Sequence, residues 1–302
     1  MKKKKHLPIG DILFNGINNF LMLLLIIIML YPFWYCVILS FNDSVDFLKG
    51  PLYLWPRKFT LENYEFVLGS PSIGIAIRNS ILRTVIGTIL HCVFTGAAAY
   101  GLSKPDLLYR KFYTTVFVIT MYFGGGMIPT YLLLRDIGFI DSFLVYVIPT
   151  MWSFYNAILF MSYYESIPGS LEESARIDGA NTLVIYFRII FPASLPIFAT
   201  VALYSIVGQW NSWFDTVIYT KSEQLVTLQS MMAKILQMAE NQKKMMEQLA
   251  KSSMVNATVP VNISPTTVRV ATMVITTFPI VVVYPFFQKY FVKGIMLGAV
   301  KG

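Results

Sequence analysis

Long stretches free of Asp, Glu, Lys and Arg alternate with short polar segments along the 302 residues. A helix needs about 20 mostly apolar residues to cross the hydrocarbon core of a bilayer. Six charge-free windows meet that measure, at residues 12–42, 84–103, 112–134, 142–164, 189–214 and 270–288. They predict an all-α membrane protein with six transmembrane helices and both termini on one side. A further charge-free stretch, residues 252–268, is polar and interrupted by Pro260 and Pro265, which predicts an extramembranous loop.

Composition agrees with a lipid solvent. Hydrophobic residues make up 56% of the chain and charged residues 13%, against about 25% charged in soluble domains. An ordinary water-soluble fold is thereby excluded. The net charge of +8 comes from 24 Lys and Arg scattered between apolar runs, a pattern of a basic membrane protein rather than a nucleic-acid binder. These cations divide evenly between the two sides. Their clusters, Lys2 to Lys5, then Lys104, Arg110 and Lys111, then Lys289, Lys293 and Lys301, predict cytoplasmic termini. The basic start followed by apolar residues resembles a signal peptide, but the apolar run continues to Phe41, too long for one.

Cys36 and Cys92 lie inside apolar runs without ligand spacing, so disulfide, zinc and haem readings lack support. No metal site is expected. A phosphate loop of the G-x-x-x-x-G-K-[ST] type is absent, so any ATP is hydrolysed by another subunit, and no catalytic residue is assigned. The windows hold no carboxylate of the kind ion-coupled transporters use, which disfavours a symporter.

The chain divides into an N-terminal tail, residues 1–15, and a six-span domain, residues 16–302. The domain has a cytoplasmic loop at 165–188 and an extracellular loop at 215–268. In the first loop, Ser170 and Glu173 have capping-box spacing, which predicts a helix starting at Leu171. Gly179 sits where a left-handed residue ends such a helix after about two turns. So short a helix is unstable alone. Its small Ser174 and Ala175 suit close approach by a partner, although a capped connector on the membrane surface is an equal reading of the pattern.

Glu173-Ser174-Ala175, three residues, Gly179, nine residues and Ile189-Ile190-Phe191-Pro192 resemble the EAA loop of binding-protein-dependent ABC import permeases, E-A-A-x3-G-x9-I-x-L-P. Ser174 and Phe191 depart modestly from it. The fuller string from Glu172 to Ala180 is similar to the carbohydrate branch, which contains the small permease of the maltose importer. Phe41-Asn42-Asp43, Leu54-Trp55-Pro56, Phe59-Thr60-Leu61-Glu62-Asn63-Tyr64 and the stretch from Phe286 to Gly294 look like the same subunit in Gram-positive oligosaccharide importers. Phe123-Gly124-Gly125-Gly126-Met127-Ile128-Pro129-Thr130-Tyr131 resembles the LplC/YtcP oligosaccharide permease group.

The resemblance implies a type I ABC importer permease (MetI-like) fold in the bacterial cell membrane. It implies a coupling helix entering a cleft of the ATPase, with Glu172, Glu173, Ser174, Ala175, Asp178, Gly179 and Ala180 as ATPase-coupling residues. The implied partners are a homologous second permease, two cytoplasmic ABC ATPase subunits holding ATP and Mg, an extracellular solute-binding lipoprotein and membrane lipid. The expected cargo is an oligosaccharide or other carbohydrate. A non-sugar solute such as a peptide or polyamine, and a non-transporting scaffold or sensor, stay open.

Sugars present hydroxyls and flat apolar faces, so aromatics beside amides are substrate-pathway candidates: Trp152, Tyr155 and Asn156, and Gln209, Trp210 and Asn211. Aromatic-belt and interhelical roles are the stronger expectation for each alone, and in maltose-type relatives the larger permease holds the sugar. Arg78 and Arg83 are expected to snorkel to the outer interface, and His91 to bond between helices. Residues 225–254 carry Leu228, Met231, Met232, Ile235, Leu236, Met238, Met245, Met246 and Leu249 at helical spacing. They suit packing on the protein's own rim or contact with the binding protein. Asn256-Ala257-Thr258 and Asn262-Ile263-Ser264 are formal sequons of little weight in a bacterial protein.

Overall fold

The computed structural model describes residues 9–47, 49–251 and 264–298. Lys2 to Lys5, Lys301, Met254, the sequon at Asn256 and residues 262–263 of the other lie outside the described residues. The described chain is helical, with one isolated antiparallel bridge between Asn42 and Phe59. In order the helices are α1 (Ile9–Ser40), α2 (Ser44–Phe47), α3 (Glu62–Leu68), α4 (Ile73–Ser103), α5 (Arg110–Tyr122), α6 (Met127–Asp136), α7 (Leu144–Val147) and α8 (Phe154–Tyr164). They continue as α9 (Ser170–Ile177), α10 (Thr182–Ile185), a π turn (Tyr186–Ile190), α11 (Phe191–Ala193), α12 (Leu195–Asn211), α13 (Phe214–Tyr219), a 3-10 turn (Glu223–Leu225), α14 (Leu228–Lys251) and α15 (Pro265–Gly298).

Among the described residues, three helical segments are long and apolar enough to cross a membrane by themselves: Leu13–Ser40, Ile73–Ser103 and Thr266–Phe286. The third and fifth windows are bent, by 113° between Arg110–Tyr122 and Met127–Asp136 and by 80° between Thr182–Ala193 and Leu195–Asn211. Counting each bent pair as one span gives up to five. The fourth window is split between α7 and α8 around Pro149, which leaves 11 residues in α8.

Two helix starts differ from the sequence expectation. α4 begins at Ile73 rather than Thr84, because Arg78 and Arg83 interrupt a charge-free window without interrupting a helix. α15 begins at Pro265, so residues 265–268 are helix rather than loop. Ser264 accepts from the Thr266 amide at 3.3 Å, and Pro265 occupies the first helical position, where its missing N–H costs nothing.

The chain forms two compact units, one of residues Met1–Ser70 and Ile235–Ile275, the other of Pro71–Lys234 and Thr276–Gly302. In the first, α1 presents apolar side chains along its length, from Leu13 to Trp34, to its surroundings. Lipid or a partner must solvate such a surface. The loop after α1 is tied down by polar contacts. Asn63 donates to the carbonyls of Ser40 and Asn42 at 3.0 Å each, Arg57 pairs with Asp46 at 2.9 Å and Lys58 with Asp43 at 2.7 Å.

In the second unit α4 packs along α12 and α8. Tyr100, Phe160, Tyr164, Tyr186 and Phe198 form the centre of its core. A Cβ at Gly96 of α4 would lie 2.7 Å from the Phe198 ring, so glycine there sets how closely α4 and α12 approach. The bend before α12 has a local cause. Pro196 has no N–H to continue the helical ladder, and the Ser194 hydroxyl donates to Ile190 O at 2.6 Å. α4 stops at Lys104, which is extended (ψ 127) because Pro105 follows it.

Candidate functional site

The helix expected around Glu173 is α9, Ser170–Ile177. The capping box is not formed. The amides of Leu171, Glu172 and Glu173 already donate to the carbonyls of Pro168 and Gly169 at 3.0 to 3.2 Å, leaving none for the Ser170 hydroxyl. Ser170 is therefore inside the helix, and Gly169 caps it through its backbone.

The other end forms a Schellman motif. Gly179 has φ +80, its amide donates to Arg176 O at 3.0 Å, and the Ala180 amide reaches back to Ala175 O at 2.9 Å. Asn181 then caps α10 by accepting from Val184 N at 2.9 Å. The turn between α9 and α10 is thus held by hydrogen bonds on both sides of Gly179 and Asn181.

α9 has two faces. Glu172 and Ala175, three residues apart, point into the second unit. Ala175 is buried in the core cluster beside Tyr100 and Tyr164, so its small size serves this chain's own packing. Glu172 accepts from Lys104 Nζ at 2.5 Å and from Tyr100 Oη at 3.2 Å. The Lys104 ammonium also sits 4.0 Å from the Tyr100 ring centroid. Both partners of the ion pair are about one-fifth exposed, at 20% and 17%, so water screens the pair poorly. A second clasp, Arg110 to Glu165 at 2.7 Å, joins α5 to the residue after α8. The opposite face, with Glu173, Ser174, Ile177 and Asp178, is exposed, Ile177 at 86%. A cleft of ≈ 580 Å³ beside α9 is lined by Lys104, Asp106, Glu165, Glu172 and Arg176 among others.

Of the pathway candidates, Asn156 and Gln209 are linked through Thr150, Asn156 by way of His91. Asn156 is buried and donates to His91 Nε2 at 2.8 Å, while His91 Nδ1 lies 2.7 Å from Thr150 O. A carbonyl can only accept, so Nδ1 carries a proton, and the ring bonds between helices α4 and α8 as expected. Trp210 is buried and donates to Thr276 O at 2.9 Å. Trp152 packs on Phe117 with ring centroids 5.2 Å apart, whereas Tyr155 and Asn211 are exposed.

Gln209 belongs to a charged cluster that the windows concealed. Arg83, 1% exposed, donates to Asp215 through two nitrogens at 2.5 and 3.0 Å, and to Gln209 Oε1 at 3.0 and 3.2 Å. It also lies 4.6 Å from the Tyr146 ring centroid. Gln209 in turn donates to Thr150 Oγ1 at 2.6 Å. Arg83 is therefore fully enclosed by protein, a correction to the expectation that it snorkels to water. A charge so buried persists because every donor finds a partner.

Among the described residues of 225–251 the helical stretch is α14 (Leu228–Lys251), with Leu228, Met231 and Met232 buried and Met238 and Met245 exposed. Its first amide, Leu228 N, donates to Ser80 Oγ at 2.8 Å.

Residues 11–297 match the model of the family described as binding-protein-dependent transport system inner membrane component. The polygalacturonan/rhamnogalacturonan transport system permease protein YtcP of Bacillus subtilis (strain 168) is 33% identical over 290 residues, 96% of this chain and 99% of that protein. Protein LplC of the same organism is 33% identical over 275 residues, 91% of this chain and 90% of that one. A chain from the crystal structure of a bacterial ABC transporter that imports the acidic polysaccharide alginate superposes with a TM-score of 0.80 at 29% identity. That match covers 95% of this chain and 100% of the other.

Proposed function

Because this chain belongs to the family of binding-protein-dependent transport system inner membrane components, we propose that it is the permease subunit of an ATP-driven importer whose cargo is an oligosaccharide or other carbohydrate. The observation that carries the cargo is similarity along nearly the whole chain to a polygalacturonan/rhamnogalacturonan permease and to a chain of an alginate importer. The protein is a multi-pass membrane protein. In the proposed assembly it lies in the bacterial cell membrane with both termini cytoplasmic. It pairs with a homologous permease, two ATPase subunits and an extracellular binding lipoprotein. This chain holds no cofactor of its own in that scheme, and ATP and Mg belong to the ATPases.

Coupling runs through α9. Its exposed face, with Glu173, Ser174, Ile177 and Asp178, meets the ATPase, while Glu172 and Ala175 hold the helix to the membrane part. Closure of the ATPase dimer carries α9 as a rigid body and rocks the spans between inward and outward openings. The exposed Met238 and Met245 of α14 offer adaptable side chains to the binding protein.

The test is ATP hydrolysis and sugar uptake by the assembled importer in proteoliposomes with its sugar-loaded binding protein. Glu173→Lys should abolish uptake while the subunit still inserts and assembles. Normal uptake by that variant removes the coupling assignment, and hydrolysis unmoved by any sugar-loaded binding protein removes the cargo.

A further inference from the structure

The bend between α5 and α6 is built from Tyr122, Phe123, Gly124, Gly125 and Gly126, with Gly126 at φ +83. Among the described residues, the amides of Gly124, Gly125, Gly126, Met127 and Ile128 have no hydrogen-bond partner. Tyr122 and Phe123 are 74% and 77% exposed, and nothing lies within 4 Å of the Cβ positions of Gly124 and Gly126.

The position matters. α5 runs 13 residues from Arg110, about 20 Å at 1.5 Å per residue, so where the bent pair α5–α6 is counted as one span its corner falls inside a hydrocarbon core of ~30 Å. Lipid cannot satisfy free backbone amides at that depth. Non-helical backbone survives there where protein covers it or where it borders water. The residues of this bend leave its amides bare, and its exposed rings are the kind that stack on sugar faces. In the two aromatic and amide clusters singled out in the sequence, Asn156, Gln209 and Trp210 are already engaged by His91, Arg83 and Thr276.

We propose that the elbow at residues 122–128 borders the water-filled passage of the importer and is a carbohydrate contact, with Tyr122 and Phe123 stacking on sugar rings and the free amides meeting sugar hydroxyls. The ligand class rests on the carbohydrate-permease reading above. The water exposure rests instead on the unpaired backbone.

The test places one cysteine at the elbow, Phe123→Cys, in the full importer with Cys36→Ser and Cys92→Ala, reconstituted in liposomes. Tyr122→Cys is the second variant should the first fail to assemble. A membrane-impermeant cationic thiosulfonate should label the elbow cysteine at least tenfold faster than a Leu24→Cys control on the apolar face of α1. Oligogalacturonides delivered by the binding protein should slow that labelling at least threefold. Labelling no faster than the control means that lipid or the second permease covers the elbow, and overturns the proposal. Fast labelling that oligogalacturonides do not slow, in an importer that takes them up, overturns the sugar contact. If the unmodified importer takes up no oligogalacturonide, that sugar is not its cargo, and the labelling rate alone judges the elbow.

Discussion

Arg83 on α4 and Asp215 on α13 form a two-pronged ion pair, with nitrogen to oxygen distances of 2.5 and 3.0 Å, and Gln209 Oε1 and the Ser212 carbonyl accept the remaining guanidinium donors. The pair ties α4 to the residues that follow α12. Removing one partner of a buried pair is costly because the other is left unneutralised, about 3–5 kcal/mol. Replacing both by apolar groups is far cheaper.

Arg83→Met should therefore lower the thermal midpoint of the purified complex sharply, and Arg83→Met with Asp215→Leu should recover most of the loss. Thermal unfolding monitored by size-exclusion chromatography of detergent-solubilised protein measures both. A double variant as unstable as the single one contradicts a paired role.

Lys104 and Glu172 hold α9 against the end of α4. Charge-assisted hydrogen bonds contribute about 1.5–3 kcal/mol each. Lys104→Met should reduce sugar uptake roughly tenfold or more while the complex still hydrolyses ATP, and Lys104→Arg should restore much of it. The ratio of uptake to hydrolysis is the readout, because a general folding defect lowers both together.

Gly96 meets Phe198, which is itself wedged between Phe160 and Phe191 at ring-centroid distances of 4.6 and 4.7 Å. The ring has little room to retreat. Gly96→Ala should destabilise the subunit by about 1–3 kcal/mol as overpacking, and adding Phe198→Leu should relieve part of that. Midpoints of the two variants, compared with Phe198→Leu alone, give the coupling between the positions.

The loop after α1 predicts an acid limit. The hydrogen bond from the Lys58 ammonium holds the Asp43 carboxyl below the usual carboxylate range, and the Arg57 guanidinium does the same for Asp46. A carboxyl whose folded pKa is depressed stabilises the fold above its unfolded value, and that contribution disappears as pH falls through the folded one. Stability of the Asp43→Asn variant should thus converge with that of the unmodified protein as pH drops below the ordinary carboxylate pKa, and fall short of it above. Lys58 behaves in the opposite sense, its pKa being raised by Asp43, so its share is complete at neutral pH and is lost at strongly alkaline pH.

Much of this architecture could be read from apolar windows because a helix in lipid must be apolar along its length. α1 and most of α15 follow that rule. The rule failed where protein rather than lipid surrounds the helix, as at Arg83, whose charge ended a window that α4 runs through. Opposite charges at facing window ends, Arg83 before the second and Asp215 after the fifth, were the available sign of the pair. Breaks were harder to see. Pro149, Pro196 and the glycines at 124–126 stand within apolar runs, and hydropathy does not register lost hydrogen bonds. Around α9 the glycine turn was evident from Gly179. The inward role of Glu172 was not, since Lys104 is distant in sequence and meets it through the stacking of α4 and α8.

The 80° corner at Ser194 makes the segment after α9 a bell crank. Under the proposed coupling, a push along Thr182–Ala193 would emerge at Leu195–Asn211 as a sideways swing, the far end of that arm being moored at Gln209 to the buried Arg83. Such a linkage would turn a small thrust delivered at α9 into a tilt about a pin at Gln209.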